Sequence, residues 1–416
     1  MYYLVTLMPD HSCNLPYFNE LNGFNGRILS SYETIEISKQ IIKNSVGIHE
    51  NSIMKMRQKG KRKNPLYTKQ DMWSMFDHME SVPQDIDIKL NEYVTVKFLK
   101  NNHVVGANSI LLTIKDTNGR PHTLWYTGDM GCNDLKEFHP FTSELEVPKK
   151  CDLMISEATY SDKNREKVTR RKAKEEREYL YSLIKNSLNK GEDSQLLIPT
   201  FSFSRTQEFL VWFKKQSEGD KFFDNIPIYI DGVLVVDINH VYERILKDEE
   251  LETFRDSMSI VKINNCFKAS QFNASKREKR IVISSSGFLI GGMVENYLPS
   301  TIEHSNDTII MLGYCGNEDS VAGNLLTSEI GKPINICNRT ILKKCEVYQM
   351  KTWSSHIQYD NLMELFNSVK TPRILIHHCD EENKQRFCNE ANEYLRDRNK
   401  TTKVIPVSKG SFEFKL

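Results

Sequence analysis

Residues 10–18 read Asp10-His11-Ser12-Cys13-Asn14-Leu15-Pro16-Tyr17-Phe18, and they follow an apolar stretch, residues 2–8, that predicts a buried strand. A carboxylate and an imidazole therefore stand side by side on the turn that ends this strand. Such a pair suits a divalent cation such as zinc. A lone Asp-His pair is more often a capping pair than a ligand pair, so its meaning depends on the rest of the chain.

Farther along, acidic and histidine residues recur in five short motifs, several of them where predicted strands end. These are His103-Val104-Val105-Gly106-Ala107, Tyr126-Thr127-Gly128-Asp129, Glu157-Ala158-Thr159-Tyr160, Ser354-Ser355-His356 and Ile376-His377-His378-Cys379-Asp380. Apolar strand patterns alternate with helical spacing between them, which indicates a layered α/β protein. Each motif alone fits an ordinary turn, but the set in this order indicates one metal centre.

The order and context of these motifs resemble the metallo-β-lactamase fold, specifically its β-CASP nuclease branch. Residues 157–160, 354–358 and 376–380 are similar to the family's Glu-Ser-Thr-Tyr, Ser-Ala-His-x-Asp and Val-His-Gly-Glu. Gln358 replaces the usual aspartate, and Cys379 replaces the usual glycine. His377 competes with His378 as the matching histidine, but residues 372–376 set the register in favour of His378.

A second group of matches lies in the middle of the chain. Residues 197–208 resemble the family's Ile-Pro-x-Phe-Ala-x-Gly-Arg-x-Gln-Glu segment, and residues 284–292 resemble its Ala-Ser-x-Gly-Met-Leu-x-Gly-Gly segment. The resemblance therefore spans nearly the whole chain.

The fold class that this resemblance implies is α/β: an αββα metallo-β-lactamase sandwich interrupted by a parallel-sheet β-CASP domain. We expect the first part of the sandwich over residues 1–161, the β-CASP domain over 162–348 and the return of the sandwich over 349–416. Several strands that usually precede the Asp10-His11 strand are missing, so we expect an N-terminally trimmed domain or a start that is lost.

The resemblance also implies a ligand set. Asp10, His11, Asp129 and His378 would form one complete zinc site, while the other site keeps only His103 and the shared Asp129. The family's opening motif His-x-His-x-Asp-His reads Thr6-Leu7-Met8-Pro9-Asp10-His11, so two histidines are absent. One zinc site and one degenerate site are expected.

The catalytic residues implied in the same way are Asp10 and Asp129 at the metal, His356 and Glu157. A single dication can still activate water at neutral pH. His356 would protonate the leaving oxygen, and Glu157 would orient His356.

Three functions remain open from the sequence. The first is a metal-dependent phosphodiester hydrolase similar to the β-CASP ribonucleases of RNA 3′-end processing and decay, acting with one metal. The second is an inactive homologue that binds RNA or a catalytic β-CASP partner, which the two missing histidines favour. The third is a hydrolase of another phosphodiester or ester, because the fold hosts many substrates. The sequence does not separate endonuclease from exonuclease, RNA from DNA, or monomer from homodimer.

The net charge is only +1, yet basic residues form two clusters. The first, predicted as a loop over residues 55–65, fits phosphate binding and a solvated loop equally well. It contains Lys55, Arg57, Lys59, Lys61, Arg62 and Lys63. Of these, Lys61, Arg62 and Lys63 are candidate nucleic-acid contacts, and Arg205 in the β-CASP-like segment is a fourth.

The second basic cluster lies in a helix predicted over residues 165–190. It contains Lys163, Arg165, Lys167, Arg170, Arg171, Lys172 and Lys174. Glutamates follow at helical pairing distances, so a solvated helix face is the favoured interpretation.

Cysteine use and hydropathy indicate the compartment. The nine cysteines form no Cys-x-x-Cys pair, which indicates free thiols in a reducing environment. No apolar run approaches the roughly 20 residues of a membrane span, and residues 1–5 do not resemble a secretory signal. These observations predict a cytoplasmic protein without membrane contact.

Overall fold

The computed structural model describes residues 2–6, 12–61, 64–264, 277–316 and 319–407. The chain divides into two compact units. Unit 1 comprises Met1–Lys167 and Ser355–Leu416, and unit 2 comprises Val168–Ser354. The described part of the chain is mixed α/β with several sheets, in agreement with the fold class expected from the sequence. None of the described helices is long and apolar enough to cross a membrane.

The first segment of unit 1 contains eight strands and three helices among its described residues. They are β1 (Tyr2–Leu4), α1 (Leu15–Asn22), β2 (Arg27–Ser30), α2 (Tyr32–Gln58), α3 (Lys69–Asp77), β3 (Met79–Ser81), β4 (Ile88–Lys89), β5 (Val94–Lys100), β6 (Asn108–Lys115), β7 (Pro121–Tyr126) and β8 (Leu153–Ser156). A 3₁₀ helix spans Asn133–Phe138.

Unit 2 holds the next block of elements. They are α4 (Arg170–Leu188), β9 (Gln195–Pro199), α5 (Arg205–Ser217), β10 (Ile228–Asp231), α6 (Val233–Ile245), α7 (Asp248–Met258), β11 (Val261–Asn264), β12 (Arg280–Ser284), α8 (Leu298–Ile302), β13 (Thr308–Leu312), α9 (Val321–Thr327), β14 (Pro333–Ile336), β15 (Arg339–Leu342) and β16 (Glu346–Met350). Short 3₁₀ helices span Lys221–Phe223 and Met293–Asn296. The chain then returns to unit 1 with α10 (Tyr359–Ser368), β17 (Arg373–Ile376), α11 (Glu381–Arg396) and β18 (Lys403–Pro406).

The large sheet of unit 1 has seven strands in the order β18-β17-β8-β7-β6-β5-β4. Strands β18, β17, β8 and β7 run parallel, whereas β7, β6, β5 and β4 pair antiparallel. One face buries Trp125, Met154 and Ile374 against Phe366 of α10 and Phe387 of α11. The carboxyl ends of β7, β8 and β17 consequently meet at one edge of the sheet.

The opposite face of this sheet packs on a smaller one. Strands β1, β2 and β3 form a parallel three-stranded sheet, and Leu29 of β2 clusters with Val96, Phe98 and Ile110 of the large sheet. The far side of the small sheet carries α1, α2 and α3, through Leu15, Ile42 and Met75 among others. Helices therefore lie outside two stacked sheets in unit 1.

Unit 2 is built on a parallel six-stranded sheet in the order β11-β10-β12-β9-β13-β16. Both faces are covered, one by α4 and α5 through Leu180 and Phe209, the other by α8 and α9 through Leu298 and Leu325. Burial on both faces explains the continuous apolar runs of β9, β12 and β13.

Two predicted elements differ from the structure. Helix α2 continues to Gln58, so Lys55 and Arg57 are helical and the predicted loop over residues 55–65 is wrong at its start. Helix α4 begins at Arg170, where Thr169 caps the N-terminus by accepting from the Lys172 amide. Lys163, Arg165 and Lys167 therefore precede the helix and do not lie on its face.

Candidate functional site

The candidate site lies at the carboxyl edge of β7, β8 and β17 in unit 1. Ile376 pairs with Ser156, and Tyr126 pairs with Ile155. The residues that follow these strands are thereby brought together, and the Ala158 amide donates to the His378 carbonyl at 2.7 Å. Sheet register thus places Asp129, Glu157 and His378 in one cluster.

His103 reaches the same edge through the loop between β5 and β6. The loop docks on the first turn of α2, where the Ser31 and Thr34 hydroxyls both donate to the Gly106 carbonyl. Gly106 has φ +76°, and a Cβ there would overlap the side chain of Glu33. The glycine of the His-x-x-Gly motif is therefore needed to seat the loop that carries His103.

Asp129 is buried, and only one of its two carboxylate oxygens contacts a polar partner among the described residues. Its Oδ1 lies 2.8 Å from Nδ1 of His378, while its Oδ2 has no hydrogen-bond partner among the residues that the structure describes. Burial opposes ionisation, but the hydrogen bond with His378 and the positive charges that His103 and His356 carry at low pH outweigh it and lower the pKa of Asp129. An ionised, buried oxygen without a donor suits a cation.

Glu157 is committed to hydrogen bonds. Its two carboxylate oxygens lie 3.2 and 3.0 Å from Nδ1 of His356, Thr159 donates to Oε2 at 2.6 Å, and the Met130 amide donates to Oε1. Burial lowers the pKa of His356, but the charge of Glu157 and its hydrogen bond outweigh burial and raise it. Glu157 therefore both orients His356 and favours its protonated form.

His103 stands beside this pair. The ring centroids of His103 and His356 are 4.5 Å apart, and the Ser355 hydroxyl lies 3.4 Å from His103 Nδ1. Burial, assisted by the charge of His356, lowers the pKa of His103 to about 4. The imidazole is consequently neutral at pH 7, which is the form that binds metals.

Two groups of side chains in the described part of the chain could hold a metal ion. They are His103, Asp129 and His356, and Asp129, Glu157 and His378, with the ligand atoms of each group within 4.8 Å of one another. Imidazole and carboxylate are zinc ligands, and Asp129 belongs to both groups. Together with the unpartnered Oδ2 of Asp129, this donor set fits a divalent metal.

Thr6, which stands where the family has its first metal histidine, lies next to this cluster. A Cβ added to Gly128 would lie 3.1 Å from the Cβ of Thr6, and Gly128 has φ +58°. The glycine before Asp129 is thus explained by its backbone conformation and by tight packing on Thr6. A threonine, not an imidazole, occupies this position beside Asp129.

The remaining predicted site residues are Asp10, His11, Lys61, Arg62, Lys63 and Arg205. Asp10, His11, Arg62 and Lys63 fall outside the described residues, as does Met8. Lys61 is exposed beyond the end of α2. Arg205, in the first turn of α5, lies 3.0 Å from the carboxylate of Glu208, so its charge is paired within unit 2.

Sequence reasoning missed some of the residues that shape the site. The Asn101 amide donates to the Asp129 carbonyl at 2.8 Å and so holds the turn. Tyr160 packs edge-on against His356, with centroids 5.8 Å apart, and His377 turns to the Tyr126 hydroxyl at 3.2 Å. Position in the motif could have indicated Tyr160, but no local signal marks Asn101.

Part of the chain matches a known domain family. Residues 206–323 match the Beta-Casp domain, and all of them lie in unit 2. The chain therefore carries a Beta-Casp domain, and the resemblance to the β-CASP branch of the metallo-β-lactamase family is confirmed.

Curated relatives extend the match over most of the chain. This chain is 23% identical over 385 residues to endoribonuclease YSH1 of Candida glabrata, and the match covers 89% of this chain and 46% of the relative. The Schizosaccharomyces pombe protein of that name is 22% identical over 95% of this chain and 49% of its own length. The Saccharomyces cerevisiae protein is 21% identical over 89% of this chain and 46% of its own length. The chain thus spans about half the length of these relatives.

Proposed function

We propose that this protein is a metal-dependent endoribonuclease whose reaction centre is the cluster around Asp129. The observation that carries the proposal is the convergence of His103, Asp129, Glu157, His356 and His378, with the Oδ2 of Asp129 buried and unpartnered among the described residues. The relatives' shared name, endoribonuclease, supports RNA as substrate and internal cleavage as the reaction.

The domain assignment belongs to this proposal. Unit 1, with helices outside two stacked sheets, would be the αββα metallo-β-lactamase domain, and unit 2 would be the β-CASP insertion. The layer order of unit 1 and the position of the Beta-Casp match support it. The cytoplasmic location and the homodimer or catalytic β-CASP partner stay predictions.

The chain's own residues supply three elements of the reaction. Asp129 and His378 would hold the zinc ion together with Asp10 and His11, which are ligands taken from the motif, and His103 would remain from the degenerate second site. At these residues a zinc ion, when bound, would supply hydroxide as a nucleophile, since zinc can lower the pKa of water to about 7. His356, held through Nδ1 by Glu157, would pass its Nε2 proton to the leaving oxygen of the phosphodiester.

The second candidate is a catalytically inactive β-CASP homologue that binds RNA or a partner. The observation in its favour is Thr6 packed beside Gly128, because a threonine there removes one imidazole from the metal centre. Loss of one metal from a pair weakens the charge clamp on the phosphorus. For the proposed endoribonuclease we therefore expect a single bound metal and slow cleavage.

Metal stoichiometry of the purified protein is the first test. Elemental analysis should find about one zinc per chain in the wild type, as one complete site requires, and almost none in Asp129→Ala. Cleavage of a labelled single-stranded RNA should then depend on zinc, disappear with a chelator and return when zinc is restored.

A wild type that binds no specific metal would overturn the enzyme proposal and favour the scaffold. Wild type that binds zinc but does not cleave is tested further with the double substitution Thr6→His and Met8→His. A large gain in cleavage would show a competent site that lacks only imidazoles, whereas no gain would favour the scaffold.

A further inference from the structure

A basic pocket lies beside the candidate site in unit 1. The space within it and the adjoining solvent together measure about 360 Å³, and its lining residues include Tyr160, Lys163, Arg165, Lys167 and Gln358. Gln358 is two residues from His356, and the Tyr160 ring contacts the His356 ring edge-on at 5.8 Å. The pocket and the proposed proton donor therefore share one wall.

Arg165 is held rigidly in this pocket. Its guanidinium carbon lies 3.5 Å from the centroid of the Tyr160 ring, and its Nη1 donates to Oε1 of Gln358 at 2.9 Å. Gln358 is itself fixed, because its amide donates to the His356 carbonyl at 2.9 Å. Stacking and one hydrogen bond orient the guanidinium and leave the other N–H groups of its fork to a ligand.

The charge of Arg165 is not neutralised locally. The two lysines of the pocket are paired, Lys163 with Glu390 at 3.0 Å and Lys167 with Asp360 at 2.6 Å. Asp162, the other acid that lines the pocket, lies 3.0 Å from Arg386. Within the described ranges, both contacts of Arg165 are neutral groups and no carboxylate lies within salt-bridge distance.

Gln358 explains why this cation is uncompensated. The family's motif has aspartate two residues after the histidine, and this chain has glutamine. A carboxylate at position 358 would lie against the guanidinium, whereas the amide of glutamine orients it without cancelling its charge.

We propose that Arg165 binds a phosphate of single-stranded RNA next to the phosphodiester that is cleaved. A stacked, pre-oriented guanidinium is suited to bidentate phosphate binding. One aromatic ring separates it from His356, so a strand with its scissile phosphate at Asp129 would extend towards the pocket. This proposal rests on the proposed function for the identity of the ligand.

The test is RNA binding by metal-free protein, which separates affinity from cleavage. A short fluorescein-labelled oligouridylate is titrated with wild type and with Arg165→Gln at several salt concentrations. We expect about tenfold weaker binding for the variant, and a salt dependence whose slope falls by about 0.7. Arg171→Gln, which removes the same charge from an exposed position on α4, should bind as the wild type does.

Two further variants test the role of Gln358. Gln358→Glu should weaken binding about as much as Arg165→Gln, because it places a carboxylate oxygen where Oε1 of Gln358 now accepts from Arg165. Arg165→Lys should fall between the wild type and Arg165→Gln, because it keeps the charge but loses the stacked fork. Circular dichroism melting curves check that each variant folds.

The outcomes separate the subsite from the nuclease. Equal affinity and equal salt slope for Arg165→Gln and Arg171→Gln would overturn the subsite, even if the wild type cleaves RNA. A wild type that binds no oligouridylate would overturn it too. Binding that depends on Arg165 in a protein that cleaves no RNA with any divalent metal would support the subsite and reject the proposed reaction.

Discussion

The two units share one feature of sheet topology but carry different side chains at that place. In each, parallel strands bring their carboxyl ends to one edge of a sheet. In unit 1 the residues that follow β7, β8 and β17 include the buried Asp129 and Glu157 and the partly exposed His378, which contacts Asp129. In unit 2 the residues that follow β9 and β12 include the partly exposed rings of Phe201 and Phe288, whose centroids are 5.0 Å apart.

The acidic side chains at the two sheet edges also have different neighbours. Asp231, at the end of β10, accepts a hydrogen bond from the Tyr297 hydroxyl at 2.6 Å, and Glu208 lies against Arg205. Both groups that could hold a metal among the described residues belong to unit 1. The carboxyl edge of parallel strands thus does not indicate function by itself, because the side chains that follow the strands determine the chemistry at that edge.

The largest expected effect concerns His356, the proposed proton donor in unit 1. His356→Gln should slow RNA cleavage by about 10²- to 10⁴-fold, the usual contribution of general acid catalysis. Zinc content, measured by elemental analysis, should stay unchanged, since His356 is proposed to act on the leaving group. A parallel loss of zinc would instead show that His356 is a ligand in the group with His103 and Asp129.

The next largest effect is a difference between Asp129 and Asp231 in how zinc changes the melting temperature. Zinc should raise the melting temperature of the wild type and of Asp231→Asn, but not that of Asp129→Asn. A ligand at 100 times its Kd stabilises a protein by about 2.7 kcal/mol. Differential scanning fluorimetry with and without zinc measures the shift, and an equal response of both variants would contradict the assignment of the metal to unit 1.

Glycines at the two edges should separate stability from metal binding. A Cβ at Gly131 would overlap the Asn102 carbonyl, and one at Gly292 would overlap the Ser285 carbonyl. Each alanine substitution should therefore lower the free energy of unfolding by about 1–3 kcal/mol, a typical cost of overpacking. In calorimetric titrations only Gly131→Ala should weaken zinc binding, because Asn102 precedes His103. Gly47→Ala, with open space around it, is the control.

The smallest effect is a pH dependence on the surface of unit 2. Hydrogen bonds from Lys185 and Tyr181 lower the pKa of Asp220 from 3.8 to about 2. The folded pKa is depressed, so this contact stabilises the protein above pH 3.8 and its contribution is lost as the pH falls towards 2. Asp220→Asn should be slightly less stable than the wild type at pH 6. In urea unfolding curves, the difference should shrink as the pH approaches 2, while a constant difference would argue against the pairing.

Much of the site could be predicted from the sequence because motif and strand end coincide. Asp129, Glu157, His356 and His378 follow buried strands or lie in short motifs, and sheet pairing then brings them together. The end of α2 could not be predicted as well, since Ile53 is the only buried residue that the structure describes beyond Val46 in that helix. The apolar period fades there, yet the helix continues with an exposed charged surface.

The start of α4 was missed for a different reason. Charges at helical spacing suggested a helix from residue 165, but the cap at Thr169 defines its start. Thr169 is a residue type that caps helix N-termini. A helix predicted to start at this cap, and not at the first paired charge, would leave Arg165 in the preceding loop. The contact of Arg165 with Tyr160 depends on the fold of that loop, which no local pattern encodes.

The pairing of Ile376 with Ser156 also acts as a selector between two neighbouring histidines. His378 reaches Asp129, while His377 reaches the Tyr126 hydroxyl. Because side chains alternate along an extended chain, a slip of one residue between β17 and β8 would exchange these destinations. The hydrogen-bond ladder between two buried strands thereby determines which imidazole belongs to the candidate site.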